Sequence, residues 1–246
     1  MRARVFPDYE AMSEAAAALV VRRLKEKPST VFMLPTGTTP LGMYRRLVEM
    51  YRAGQVSFAG ATFFNLDEYL GLVPDHPASY HVYMKEHFYG LIDADPARTF
   101  VPDGSAPDPA AECERYEAAM REAGGIEVCV LGIGRNGHIG FNEPGASFLS
   151  RTRVVRLSES TRNVNAADFE ENRAPQRALT VGMATIFESR EVLLLASGTN
   201  KARTVAASVE GEISESVPAS MLKGHPNAEL FLDEDAASDL GSGVAG

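Results

Sequence analysis

Residues 131–144 read LGIGRNGHIGFNEP. The largely apolar run at 126–131 stops at Gly132 and Gly134, and His138 and Glu143 follow on a segment that also holds Gly137 and Gly140. A short buried strand that breaks into a glycine-rich loop carries polar side chains to the carboxyl edge of a sheet. Open α/β proteins bind their ligands at that edge. Glycine permits positive φ and a close approach of backbone to ligand. Histidine is the side chain whose charge ordinarily changes near neutral pH, and Glu143 is close enough in sequence to orient His138. The block outlines an acid/base site rather than a packing element.

Outward from this block, strand-like and helix-like runs alternate. Residues 30–34, 61–65, 126–131, 153–157, 179–181, 192–196 and 229–232 read as strands. Residues 39–53 carry Leu41, Tyr44, Leu47, Val48 and Tyr51 at helical spacing. Residues 79–91, 108–123 and 200–209 also read as helices, with Asp108 as an N-cap and Pro109 in the first position. The amino terminus reads as a strand and then a helix. This alternation predicts an α/β fold, a three-layer sandwich whose open, largely parallel sheet is covered by helices on both faces. A single domain over residues 1–235 is expected, and the small, glycine-rich stretch at 236–246 reads as a disordered tail.

Composition narrows the function. The chain has 246 residues, 45% hydrophobic, with a formal charge of −9. That balance argues against nucleic acid as a partner. No stretch reaches the ~18 apolar residues of a membrane span, and the charged amino terminus lacks a cleavage site, so a cytoplasmic protein is expected. Cys113 and Cys129 have no metal-type spacing and read as reduced core or semi-buried thiols of a cytosolic protein, and no cofactor is expected.

Three further strand-to-helix junctions carry chemistry. In LPTGTTPLG, residues 34–42, Thr36, Gly37, Thr38 and Thr39 place hydroxyl and N–H groups at a helix start, a cradle for phosphate or carboxylate. It lacks the lysine of a P-loop, so a nucleotide triphosphate is not implied. In FFNLDEYLGL, residues 63–72, Asp67 and Glu68 follow a buried strand. One of them reads as a general base with a raised pKa, or Asp67 reads as a helix cap with Glu68 solvated. In SGTNKAR, residues 197–203, Lys201 in a first helical turn opposes the helix dipole unless an anion is bound. Together the junctions supply an anion cradle, a cation, a carboxylate and an imidazole, a set suited to moving protons on a small phosphorylated molecule.

The blocks LPTGTTP, FNLDEYLGL, LGIGRNGHIGFNEPG, SRTR and SGTNKA, in this order, closely resemble the glucosamine-6-phosphate deaminase (isomerase) family. The related 6-phosphogluconolactonases share the fold but carry a different histidine loop. The resemblance implies a modified Rossmann-like fold and metal-free conversion of glucosamine 6-phosphate to fructose 6-phosphate and ammonia, a step of N-acetylglucosamine catabolism. It implies Asp67 as the base between carbons 2 and 1, and His138 as the ring-opening group oriented by Glu143. Asn136 completes the catalytic set, while Thr36, Gly37, Thr38, Thr39 and Lys201 bind the substrate.

Three departures stand out. Many members have Asp at the position of Asn136. Ala167 stands where the family has a phosphate-gripping arginine, so Arg162, Arg173 or Arg177 substitutes for it or the substrate differs, as in galactosamine 6-phosphate. Val155 replaces a lysine of the family's allosteric site, so a monomer or small homo-oligomer without strong activation is expected. A sugar-phosphate-sensing module without turnover is the rival of a different class.

Overall fold

A computed structural model describes residues 1–166, 169 and 174–241. Seven strands form the central sheet. These are β1 (Arg2–Phe6), β2 (Val31–Leu34), β3 (Thr62–Asn65), β5 (Thr99–Phe100), β6 (Val128–Gly132), β9 (Glu191–Ala196) and β10 (Ala228–Asp233). Their order is β1-β10-β9-β6-β2-β3-β5, and every neighbouring pair is parallel. Parallel pairing requires crossovers, which the helices provide. The expected largely parallel, three-layer α/β architecture is therefore what the chain adopts.

Alternation along the central strands decides which layer each side chain joins. Phe32, Leu34, Phe63, Val128, Val130, Leu193 and Leu195 pack on one face against Met12, Ala16, Leu19 and Val20 of α1 (Tyr9–Glu26) and Met43, Tyr44 and Leu47 of α2 (Leu41–Arg52). Val31, Met33, Phe64, Cys129, Leu131, Val192 and Leu194 pack on the other face against Tyr116 and Met120 of α4 (Pro109–Glu122) and Val205 of α7 (Ala202–Val209). The period of two explains why these strands read as unbroken apolar runs, since both faces are covered. Capping follows the sequence: Asp108 accepts hydrogen bonds from the main-chain N–H groups of Ala110 and Ala111, with Pro109 in the first turn.

A second sheet was not foreseen. The segment read as a loop forms β4 (Asp67–Tyr69), which pairs antiparallel with β8 (Arg177–Thr180), itself paired with β7 (Arg153–Arg156). Only Leu66 separates β3 from β4. Its N–H donates to the Leu34 carbonyl at 3.2 Å, and its carbonyl accepts from the Val181 N–H at 2.8 Å. The chain thus passes from one sheet into the other without a loop. Charged residues at 67–68 hid this strand from a pattern of apolar runs.

The remaining helices are α3 (Tyr80–His87), α5 (Glu159–Asn165), α6 (Met183–Phe187) and α8 (Glu234–Ala237). Disorder from residue 236 onward is corrected for the described part of the tail. Ala236 is buried in α8, Leu240 packs on the core, and the Gly241 N–H donates to Glu210 at 2.6 Å. Residues 242–246 lie outside the described residues.

Connectivity places a crevice. From β2 the chain moves outward to β3 and β5, whereas from β6 it moves the opposite way to β9 and β10. Open α/β sheets bind ligands beyond the carboxyl ends of their strands at such a reversal. The end of β3 is tied down by Tyr116, whose buried hydroxyl accepts from the Asn65 N–H at 3.0 Å and lies 2.8 and 3.0 Å from the Asn65 and Phe100 carbonyls. Tyr116→Phe leaves these main-chain groups without that partner. It is expected to lower stability by about 1–3 kcal/mol, read as a shift of the urea midpoint at unchanged slope.

Candidate active site

At the reversal point lies a cavity of about 350 Å³. Thr36, Gly37, Thr38 and Thr39 line it after β2, Asp67 after β3, Asn136 and His138 after β6, and Lys201 after β9. These strands are four neighbours in the centre of the sheet. Of the predicted site residues Glu143 alone does not line the cavity; it stands behind His138.

The loop after β2 is held from outside. Gly37 turns it with φ +91°. Tyr83 of α3 donates to the Gly37 carbonyl at 2.5 Å. Tyr9 of α1 donates to the Thr39 carbonyl at 3.0 Å and accepts from the Gly42 N–H at 2.7 Å. The residue preceding α2 is Pro40, which supplies no side-chain cap. The threonine hydroxyls of this loop, beside the start of α2 where the helix dipole is positive, favour an anion.

Asp67 and Glu68 have divided the roles open to them in the opposite way to the capping alternative. Glu68 is fully buried and supports the start of α3 beside the N-cap Ser79. Its carboxylate accepts from the N–H groups of Tyr69 at 2.7 Å and of Tyr80, the first residue of α3, at 2.8 Å. Burial pushes this carboxyl up to about 7, although main-chain donors from Tyr69, Tyr80 and His81 favour its charged form. Asp67 is 5% exposed, faces the cavity and accepts no side-chain hydrogen bond among the described residues. Burial, and after it the Glu68 carboxylate, push the Asp67 carboxyl up to about 8. A carboxyl raised in this way has the pKa that a general base needs to work near neutral pH.

The His138 loop reaches this carboxylate at Gly140. A β-carbon there would lie 3.3 Å from Asp67 Oδ2 and 3.1 Å from the Thr180 hydroxyl. His138 Nδ1 stands 3.6 Å from Glu143 Oε2, an ion-pair distance longer than a hydrogen bond, and Nδ1 has no other partner among the described residues. Glu143 is itself fixed: Asn136 Nδ2 donates to Oε2 at 2.7 Å, Ser158 Oγ to Oε1 at 3.0 Å, and Thr161 Oγ1 to Oε1. Burial favours its protonated form, but the interactions with His138, Thr161 and Asn136 outweigh it and hold the carboxyl down to about 2. No hydrogen bond joins the Asn136 side chain to the imidazole among the described residues; its Oδ1 accepts from the His138 main-chain N–H at 3.3 Å. Gly134 leaves room for the ring, since a β-carbon there would fall 2.2 Å from His138 Cε1.

Lys201 donates from Nζ to the Ile133 carbonyl at 2.7 Å. Burial first, and the Arg135 charge second, push its ammonium down to about 8. Several residues of the site escaped sequence reasoning. Tyr80 lines the cavity, Tyr9 and Tyr83 brace the anion loop, and Ser158 and Thr161 grip Glu143. None lies in a glycine-rich block, and the aromatic run on α3 was the only signal. Of the arginines suggested in place of Ala167, Arg162 and Arg177 do not line the cavity. Ala167 and Arg173 lie outside the described residues. Among the described residues no group of His, Cys, Asp and Glu side chains is arranged to hold a metal ion.

Comparison with known proteins agrees with this geometry. The family described as glucosamine-6-phosphate isomerases/6-phosphogluconolactonase matches residues 7–231. The glucosamine-6-phosphate deaminase of Halothermothrix orenii is 48% identical over 241 residues, 98% of this chain and 100% of that protein. Glucosamine-6-phosphate deaminase 1 of Bacillus subtilis is 48% identical over 231 residues, 94% of this chain and 96% of that one. The solved structure of a monomeric glucosamine-6-phosphate deaminase matches with a TM-score of 0.95 at 47% identity, covering 97% of this chain and 100% of the other. A 6-phosphogluconolactonase from Trypanosoma brucei shares the fold at a TM-score of 0.77 and 22% identity, covering 98% of both chains. Through the match at 7–231 and these near-full-length relatives, the chain belongs to the glucosamine-6-phosphate isomerase/6-phosphogluconolactonase family.

Proposed function

We propose that the protein is a glucosamine-6-phosphate deaminase, which converts glucosamine 6-phosphate and water to fructose 6-phosphate and ammonia. The observation that carries this reading is the convergence of Asp67, His138, Lys201 and the 36–39 loop on one cavity. The names of the near-full-length relatives support the same substrate. In this mechanism the 36–39 loop and Lys201 hold the phosphate. His138, with Nδ1 turned to Glu143, takes the proton of the C1 hydroxyl at Nε2 and returns it to the ring oxygen, which opens the pyranose. Asp67 removes the C2 proton to form an enolamine and delivers a proton to C1. The resulting C2 imine adds water and expels ammonia. A carboxyl near 8 suits this shuttle, because it both accepts and returns a proton at little cost. Glu143, charged over the whole working range, favours the imidazolium formed in passing.

The chain works as a monomer or small homo-oligomer in the cytoplasm. A relative of TM-score 0.95 is described as monomeric, and no described helix is long and apolar enough to cross a membrane.

Asp67→Asn is expected to lower kcat by about 10²–10⁴-fold, measured as ammonia release; unchanged turnover would remove Asp67 from the mechanism. The same change alters stability with a defined sign. Because folding raises this carboxyl from 3.8 to about 8, its favourable contribution is present below the unfolded value and is lost as pH rises through the folded one. Asp67→Asn should therefore melt with the parent at pH 4 and above it at pH 8 and beyond.

For the parent, kcat/KM should be bell-shaped with its maximum near pH 8. Asp67 must lose its proton on the acid limb, and Lys201 loses its charge on the basic limb. The basic limb should weaken in kcat, where bound phosphate keeps the ammonium charged. Gly134→Ala pushes a methyl group into the imidazole. It should lower kcat at least about tenfold while KM changes little, since a displaced catalytic group costs rate rather than binding.

A further inference from the structure

The cavity holds a second cation that sequence reasoning passed over. Arg135 lies between Gly134, which abuts the His138 ring, and Asn136, which holds Glu143. It is the arginine among the described lining residues. Its position is set by the start of α7 and the turn before it. Thr204 Oγ1 donates to the Arg135 carbonyl at 2.5 Å, and Lys201 Nζ donates to the Ile133 carbonyl at 2.7 Å. Two residues of one loop are thereby clamped, and the Lys201 ammonium and the Arg135 guanidinium are brought to the same wall.

Neither cation is paired with a carboxylate among the described residues. This is unusual in a chain of net charge −9, where Arg23, Arg45, Arg46, Arg115 and Arg151 all have acidic partners. Two like charges on one wall repel, and Arg135 lowers the proton affinity of Lys201 in this way. A bound dianion removes that cost and gains charge-assisted hydrogen bonds, for which the planar guanidinium is suited. The same cavity is lined by Thr36, Thr38 and Thr39 at the start of α2.

We infer that Arg135 is a phosphate ligand, closing over the phosphate monoester together with Lys201 and the 36–39 loop. The inference rests on the sugar-phosphate reading of the site, and it assigns to the histidine loop a binding role besides its catalytic one.

The test is Arg135→Gln, which removes charge from an exposed side chain; its melting temperature confirms folding. KM for glucosamine 6-phosphate should rise about tenfold or more, by more than kcat falls. The inhibition constant of inorganic phosphate should rise in parallel, and Arg135→Lys should recover part of both. Unphosphorylated glucosamine should be affected less than its phosphate. KM and phosphate inhibition within about twofold of the parent, where a charge-assisted contact predicts tenfold, would overturn the assignment. Calorimetric titration with inorganic phosphate separates the two claims. If the parent releases no ammonia, the deaminase reading fails, yet weaker phosphate binding by Arg135→Gln still upholds Arg135 as a ligand, and equal binding rejects it.

Discussion

Two adjacent carboxylates are kept out of water at the point where the parallel sheet runs into the antiparallel one. Leu66 makes this geometry, bonding to β2 through its N–H and to the residue after β8 through its carbonyl. The two side chains that follow it have opposite fates. Glu68 meets three main-chain donors and anchors the start of α3. Asp67 receives no such compensation and opens onto the cavity, so its charge is costly there. The contrast between the two side chains is a direct result of unequal hydrogen bonding within one dipeptide.

The surrounding elements serve to keep that arrangement stiff. Glu68 fixes α3; α3 carries Tyr80 to the cavity and Tyr83 to the Gly37 carbonyl. The base and the anion loop are thus linked through one short helix. On the other side, Glu143 is tied to α5 through Ser158 and Thr161 while it faces the imidazole. Groups of a site work best when held within about 1 Å, and here the 36–39 loop and Glu143 are each braced by an element other than their own. Electrostatics is equally local. A chain of net charge −9 concentrates cations at one wall of one cavity, so its overall charge says little about the field that a substrate meets.

Much of this was legible beforehand, and the reasons are physical. Strands buried on both faces must be apolar throughout, so β2, β3, β6 and β9 stood out as runs. Turns that need positive φ demand glycine, so Gly37, Gly137, Gly140 and Gly198 marked the loops. Asp67, His138 and Lys201 follow such strands directly and could be placed at one sheet edge by topology alone. The strand β4 was missed because its charged residues face a cavity and the start of a helix instead of solvent. The start of the tail was misread because small residues suit a tight final helix as well as a disordered end.

By itself, then, the order of residues determined the layer architecture, the four junctions and the chemical types that meet there, because backbone hydrogen bonding and burial act on patterns only a few residues long. Tertiary structure alone decided which of two neighbouring carboxylates faces the cavity, which tyrosines brace the loops, and which arginine lines the cavity with Lys201. Those outcomes depend on side chains far apart in the chain, such as Glu68 with Tyr80 or Lys201 with Ile133. Desolvation and charge pairing are properties of a three-dimensional neighbourhood, and no local pattern encodes them.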